Sequence, residues 1–181
     1  MATVFNRAWA MPSADTFSIP PIKEFVERWL DGAAVVVDPF ARNCRYGTIR
    51  NDLNPDTDAE YHMEAVDFCR VLAVRGVVAD AVIFDPQYSP TQMKTVYQSV
   101  GLDKGSRTGQ NARLYKEVRD ELDAILAPSG IALSFGWNSV GFGKGRGYEL
   151  LEQLNVCHGG AHNDTICIAE RRRATPTEVS E

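Results

Sequence analysis

Apolar positions along the chain alternate between short continuous runs and stretches repeating at helical spacing. Ile22, Phe25, Val26, Trp29 and Leu30 predict a helix over 22–30, which Gly32 stops. The run 33–37, Ala-Ala-Val-Val-Val, is apolar on both faces, as a strand inside a parallel sheet must be. Further strands are expected over 48–52, 61–63, 80–84 and 131–135. Helices are expected over 66–75, with Phe68, Val71 and Leu72 inward, and over 91–100 and 114–126. The glycine- and base-containing loop 101–110 joins the last two. Runs 149–156 and 165–170 flank a short glycine-rich connection and read as a hairpin. Residues 1–21, with three prolines and few periodic apolar positions, read as an extended arm, and 171–181 as a frayed tail.

Strands alternating with helices and closing on a hairpin predict a single α/β domain over 1–181, with an open sheet and helices on both faces. Such a sheet takes its ligands outside the carboxyl ends of its strands. Asp38 and Asp85 each close a predicted strand, so they are expected on one rim.

Composition narrows the function. With 44% hydrophobic and 24% charged residues the chain has soluble, globular character, and no apolar run approaches the ~18 residues of a membrane span. The first ten residues, which include Asn6 and Arg7, lack a signal-peptide core, so a cytoplasmic location is expected. Four cysteines without CxxC spacing are expected to be free and buried. A net charge of −5 argues against gripping nucleic acid over the whole surface, so any such contact must be local. Candidates for it are Trp137, Lys144 and Arg146 in the glycine-rich stretch after the fifth strand. The phosphate-loop pattern GxxxxGK[ST] is absent. His158 and His162 lack closing partners at suitable spacing, and no metal site is expected.

The chemistry concentrates in Asp85-Pro86-Gln87-Tyr88, which follows the 80–84 strand. A carboxylate, a backbone carbonyl and a ring at one point supply two acceptors and a stacking face for a flat base with an exocyclic amine. Upstream, the first strand ends in Asp38-Pro39-Phe40-Ala41. The pair resembles the motifs of S-adenosylmethionine-dependent amino-methyltransferases, especially the N6-adenine DNA methyltransferases. The glycine-rich hairpin with Asn163-Asp164-Thr165 is similar to the ends of small phage-type DNA adenine methylases. The resemblance spans most of 10–170.

It implies a class I, Rossmann-like, mostly parallel sheet of seven-stranded type with a C-terminal antiparallel hairpin, and S-adenosylmethionine as cofactor. Thr16 and Phe17 would lie over the cofactor's methionine end, near the turn formed by Asp38, Phe40 and Ala41. Asp52 would accept its ribose hydroxyls, and Glu64 its adenine amine. Asp85 and the Pro86 carbonyl would accept the protons of a flipped adenine N6, with Tyr88 stacked on the base.

Two departures stand out. Arg42-Asn43-Cys44 replaces the expected glycine, with Asn43 suited to a left-handed conformation, and Gln87 replaces a second proline, loosening the catalytic segment. No region for a separate target-recognition domain is evident. The implied partner is therefore DNA with short or relaxed sequence preference, touched through 101–113 and 142–146. A homodimer is one way to enlarge that footprint. An RNA base, a protein glutamine, and a non-catalytic binding role remain as alternatives.

Overall fold

The computed structural model describes residues 2–87, 90–101, 111–139, 141–160 and 162–173. In chain order the elements are β1 (Val4–Trp9), α1 (Pro20–Leu30), β2 (Val36–Asp38), β3 (Ile49–Arg50), α2 (Ala65–Val74) and β4 (Ala79–Phe84). They continue as α3 (Pro90–Ser99), α4 (Asn111–Ile125), β5 (Leu126–Gly136), β6 (Tyr148–Cys157) and β7 (Thr165–Arg172). The strands form one open sheet in the order β1-β6-β7-β5-β4-β2-β3. Only β7 runs antiparallel to its neighbours.

Helices cover both faces, as the alternating pattern requires. On one, Ile22, Phe25 and Val26 of α1 pack among Ile83, Leu133 and Val156. On the other, Phe68 and Leu72 of α2 and Val118 and Leu122 of α4 pack over Val37, Val82 and Ala132. The central strand β4 is buried at five of its six positions, which explains its continuous apolar sequence.

Four expectations need correction. The predicted arm contains β1, a parallel edge strand along β6, because an edge strand with solvent on both sides needs no apolar alternation. Its anchor is the buried Glu152 of β6. The Glu152 carboxylate accepts from Asn6 Nδ2 (2.8 Å), Arg28 Nη2 (2.8 Å) and Trp29 Nε1 (2.8 Å), tying β1 and α1 to the sheet. Pro20 and Pro21 belong to the first turn of α1, where a missing N–H leaves nothing unpaired. The expected strand at 61–63 is reduced to a single parallel bridge between Asn51 and Tyr61. At the other end Arg171 and Arg172 lie within β7 instead of a frayed tail, and Arg172 Nη1 donates to the Asp123 carbonyl at 2.8 Å. Residues 174–181 lie outside the described residues.

Gly47, just before β3, is fixed by crowding. A Cβ there would stand 2.8 Å from Asp38 Cβ and 2.9 Å from Arg50 Cγ. Gly47→Ala is expected to destabilise the fold by roughly 1–3 kcal/mol in urea titration, the usual penalty of overpacking; an unchanged midpoint would mean the β2–β3 crossing has slack.

Candidate active site

Beyond β2 the chain turns through Pro39, Phe40 and Ala41, and one buried side chain holds that turn. Asn51 Nδ2 donates to the carbonyls of Pro39 (3.1 Å) and Met63 (3.0 Å), while Met63 N–H donates to Asn51 Oδ1 at 3.0 Å. The Asn51 backbone donates to Asp38 O and accepts from Ala41 N, each at 2.9 Å. Three chain segments thereby meet at one amide.

Asp52 completes the turn. Its Oδ2 accepts from Arg42 N–H at 3.0 Å and its Oδ1 from Asn54 N–H at 2.9 Å. Arg42 is held at φ +50°, a conformation that favours glycine and strains other residues. The left-handed residue is thus Arg42 and not Asn43, whose Oδ1 instead accepts from Asp58 N–H at 3.0 Å. The Arg42 guanidinium reaches back to donate from Nη1 to the Ala14 carbonyl at 2.6 Å.

Asp38, at the tip of β2, is fully buried. Its Oδ1 accepts from Phe40 N–H at 3.0 Å, and its Oδ2 has no hydrogen-bond partner. Burial pushes this carboxyl up to about 8; the Phe40 N–H opposes the rise, and the charges of Asp85 and Asp52 add to it.

A cleft of about 550 Å³ opens at the carboxyl rim between these tips. Thr16, Phe40, Arg42, Asp52, Asp85 and Pro86 line it. Thr95 and Val96 of α3 form part of its outer wall. A side pocket of about 140 Å³ adds Phe17 and Ala41, sharing Thr16, Phe40, Arg42 and Asp85 with the main cleft. The rim expected for Asp38 and Asp85 thus exists, because β2 and β4 are adjacent and parallel. Asp38 itself is fully buried and does not line the cleft.

The segment expected to be catalytic has a support that the sequence did not announce. The Gln87 carbonyl accepts from Tyr115 Oη at 2.5 Å, so a side chain from α4 restrains the position where a second proline was expected. Tyr88 lies outside the described residues. Glu64 stands beside the main cleft in an adjoining crevice of about 20 Å³, where its Oε2 accepts from Tyr97 Oη at 2.6 Å.

The proposed nucleic-acid residues separate. Trp137 is 42% exposed and follows β5 directly, at the rim where the cleft opens. Lys144 and Arg146 instead sit just before Tyr148, which pairs with Arg172 at the amino end of the parallel strands. Arg146 is also engaged by Asp120 at 2.5 Å. These two residues are therefore not brought to the cleft. Of the 101–113 contact region, 102–110 lies outside the described residues, and Arg113 pairs with Glu117 at 2.8 Å.

His158 bonds through Nδ1 to Ala10 O (2.8 Å) and through Nε2 to Thr165 Oγ1 (2.9 Å), the behaviour of a structural hairpin histidine. No group of three metal-ligating side chains occurs among the described residues. All four cysteines are free; Cys69 and Cys167 are buried, whereas Cys44 and Cys157 are only half-buried. No helix among the described residues is long and apolar enough to cross a membrane.

No protein-family model matches the sequence, and neither does any curated protein. Solved structures do match. TrmN from Thermus thermophilus superposes with a TM-score of 0.55 at 15% identity, over 85% of this chain and 49% of that one. The N-methyltransferase NodS from Bradyrhizobium japonicum WM9, in complex with S-adenosylhomocysteine, gives 0.53 at 9% identity, over 84% and 88%. The fold is that of a class I methyltransferase. This chain spans about half the length of TrmN and most of NodS.

Two outcomes test the class I rim. Asn51→Ala strands the Met63 N–H and two carbonyls, and is expected to cost roughly 2–4 kcal/mol in denaturant titration. An unchanged midpoint would show the amide clamp to be dispensable. For Asp38 the folded carboxyl titrates above its unfolded value, so its contribution to stability is full below about pH 4 and is lost as pH rises through about 8. Asp38→Asn should therefore gain several kcal/mol on the wild type as pH rises, in melts recorded from pH 4 to 9. A gap independent of pH would contradict the buried, neutral assignment.

Proposed function

We propose that this protein transfers a methyl group from S-adenosylmethionine to the N6 amine of adenine in DNA, with short or relaxed sequence preference. One observation carries the reading. Asp85 and Pro86, the expected amine-binding pair, line the same cleft as Thr16, Phe40 and Asp52 of the expected donor-binding set.

The residues present fit that donor. A volume of about 550 Å³ lies within the roughly 300–1,000 Å³ of small-molecule sites. Carboxylates at Asp52 and Asp85 suit a cationic sulfonium, and Phe40 with Val96 offers apolar surface for a nucleoside. S-adenosylmethionine supplies an electrophilic methyl group on positively charged sulfur. Each Asp52 oxygen spends one lone pair on a backbone N–H, which leaves acceptor capacity for the ribose.

At the acceptor end the Asp85 carboxylate and the Pro86 carbonyl take hydrogen bonds from the two N6 protons. As the amine loses conjugation they stabilise the positive charge growing on nitrogen, and so favour the transition state over the ground state. Tyr115 holds the Gln87 carbonyl, which limits drift of that pair. A base reaches the cleft only after leaving a duplex stack, and Trp137 offers an aromatic face at the rim for that passage.

Asp85→Ala is expected to lower tritiated-methyl transfer to DNA by about 100-fold or more, while affinity for S-adenosylhomocysteine by calorimetry stays within a few-fold. Equal loss of both would remove Asp85 from the catalytic role. Labelling of RNA in place of DNA would move the substrate to the RNA alternative.

A further inference from the structure

Glycine is the residue expected where Arg42 stands, and the turn closes around an arginine nonetheless. Its backbone occupies φ +50° because Asp52 Oδ2 holds its N–H. A strained non-glycine position persists only where the surroundings over-determine it. Here the strain delivers an exposed guanidinium to both the main cleft and the 140 Å³ side pocket.

Charge decides what that guanidinium can serve. Among the described residues lining the cleft and its two side pockets, Arg42 alone is cationic, whereas Asp15, Asp52, Glu64 and Asp85 are acidic. An anionic ligand group is repelled by each of these acids and has one attractive place to go. One Arg42 donor is spent on the Ala14 carbonyl at 2.6 Å, which anchors the planar head, and four N–H donors remain for a ligand. A fixed, planar guanidinium matches a carboxylate in two-point contact, as a lysine ammonium does not.

We propose that Arg42 is the receptor for an amino-acid carboxylate, the anionic end of the methyl donor's methionyl group. The assignment rests on the donor reading above and adds to it a subsite made by a side chain where glycine would offer only backbone. Asp52 acquires a second task as positioning residue for Arg42. The Arg42–Ala14 bond also straps residues 13–16 across the cleft beside that carboxylate.

Calorimetry with two nucleosides tests the proposal without turnover. S-adenosylhomocysteine carries the carboxylate; 5′-methylthioadenosine lacks the whole amino-acid end. Arg42→Gln should weaken S-adenosylhomocysteine by about 10- to 100-fold, the range of a charge-assisted contact. It should leave 5′-methylthioadenosine within about two-fold, with Arg42→Lys between wild type and Arg42→Gln for the former ligand. Arg42→Gly separates fold from recognition: relief of the positive φ should raise the melting temperature while S-adenosylhomocysteine is still selectively lost. Equal weakening of both ligands, or of neither, overturns the carboxylate role and leaves the donor reading standing. Failure of the wild type to bind either nucleoside overturns the donor reading, and the subsite with it.

Discussion

The amide of Asn51 is the point on which the cleft depends. A parallel sheet brings strand tips to a common rim, but loops leaving those tips have no ladder to shape them. One asparagine supplies the missing pattern, donating twice and accepting once from side-chain atoms while its backbone bonds the adjacent turn. No apolar residue could replace it, since the buried carbonyl of Pro39 and the half-buried carbonyl of Met63 would lose this donor. Asp52, the next residue, repeats the device on Arg42 and Asn54.

Much of this architecture was legible in the sequence. The strands β2 and β4 were plain because burial on both faces demands unbroken apolar runs, and their acidic ends then fell on one rim; the run 33–37 enters the sheet only at Val36, its first three residues lying outside the strand. The unread parts share a cause: their determinants lie far away along the chain or leave no periodic trace. Edge strand β1 is wet on both sides and is held by Glu152. The φ of Arg42 is set by a carboxylate ten residues on, which residue type alone does not reveal. Lys144 and Arg146 looked suited to the cleft mouth, but buried Glu170 accepts from Phe142 N–H (2.6 Å) and Gly143 N–H (2.9 Å). That grip draws the glycine-rich loop down the sheet face, away from the rim.

The acidic character of the chain also looks different once its charges are placed. Net negative charge weighs against wide phosphate contact, yet several acids converge on the cleft, where a cationic ligand would meet them. Full ionisation there would be self-defeating. Burial raises the Asp38 carboxyl to about 8 and so disfavours its charge beneath the rim, while Asp52 and Asp85 face the cavity. The rigidity lost with the second proline is likewise supplied by other means, through a tyrosine hydroxyl instead of a ring in the backbone.

The pairing of β1 with β6, reinforced by the His158–Ala10 contact across 148 residues, carries a consequence for biogenesis. On the ribosome β1 emerges long before its partner exists, so it waits unpaired while the central strands assemble. The segment 13–16, which lines one side of the cleft, follows that late-closing strand. A nascent chain stalled before β6 would carry both motifs yet lack the strand and the His158 contact that fix the start of this cleft wall.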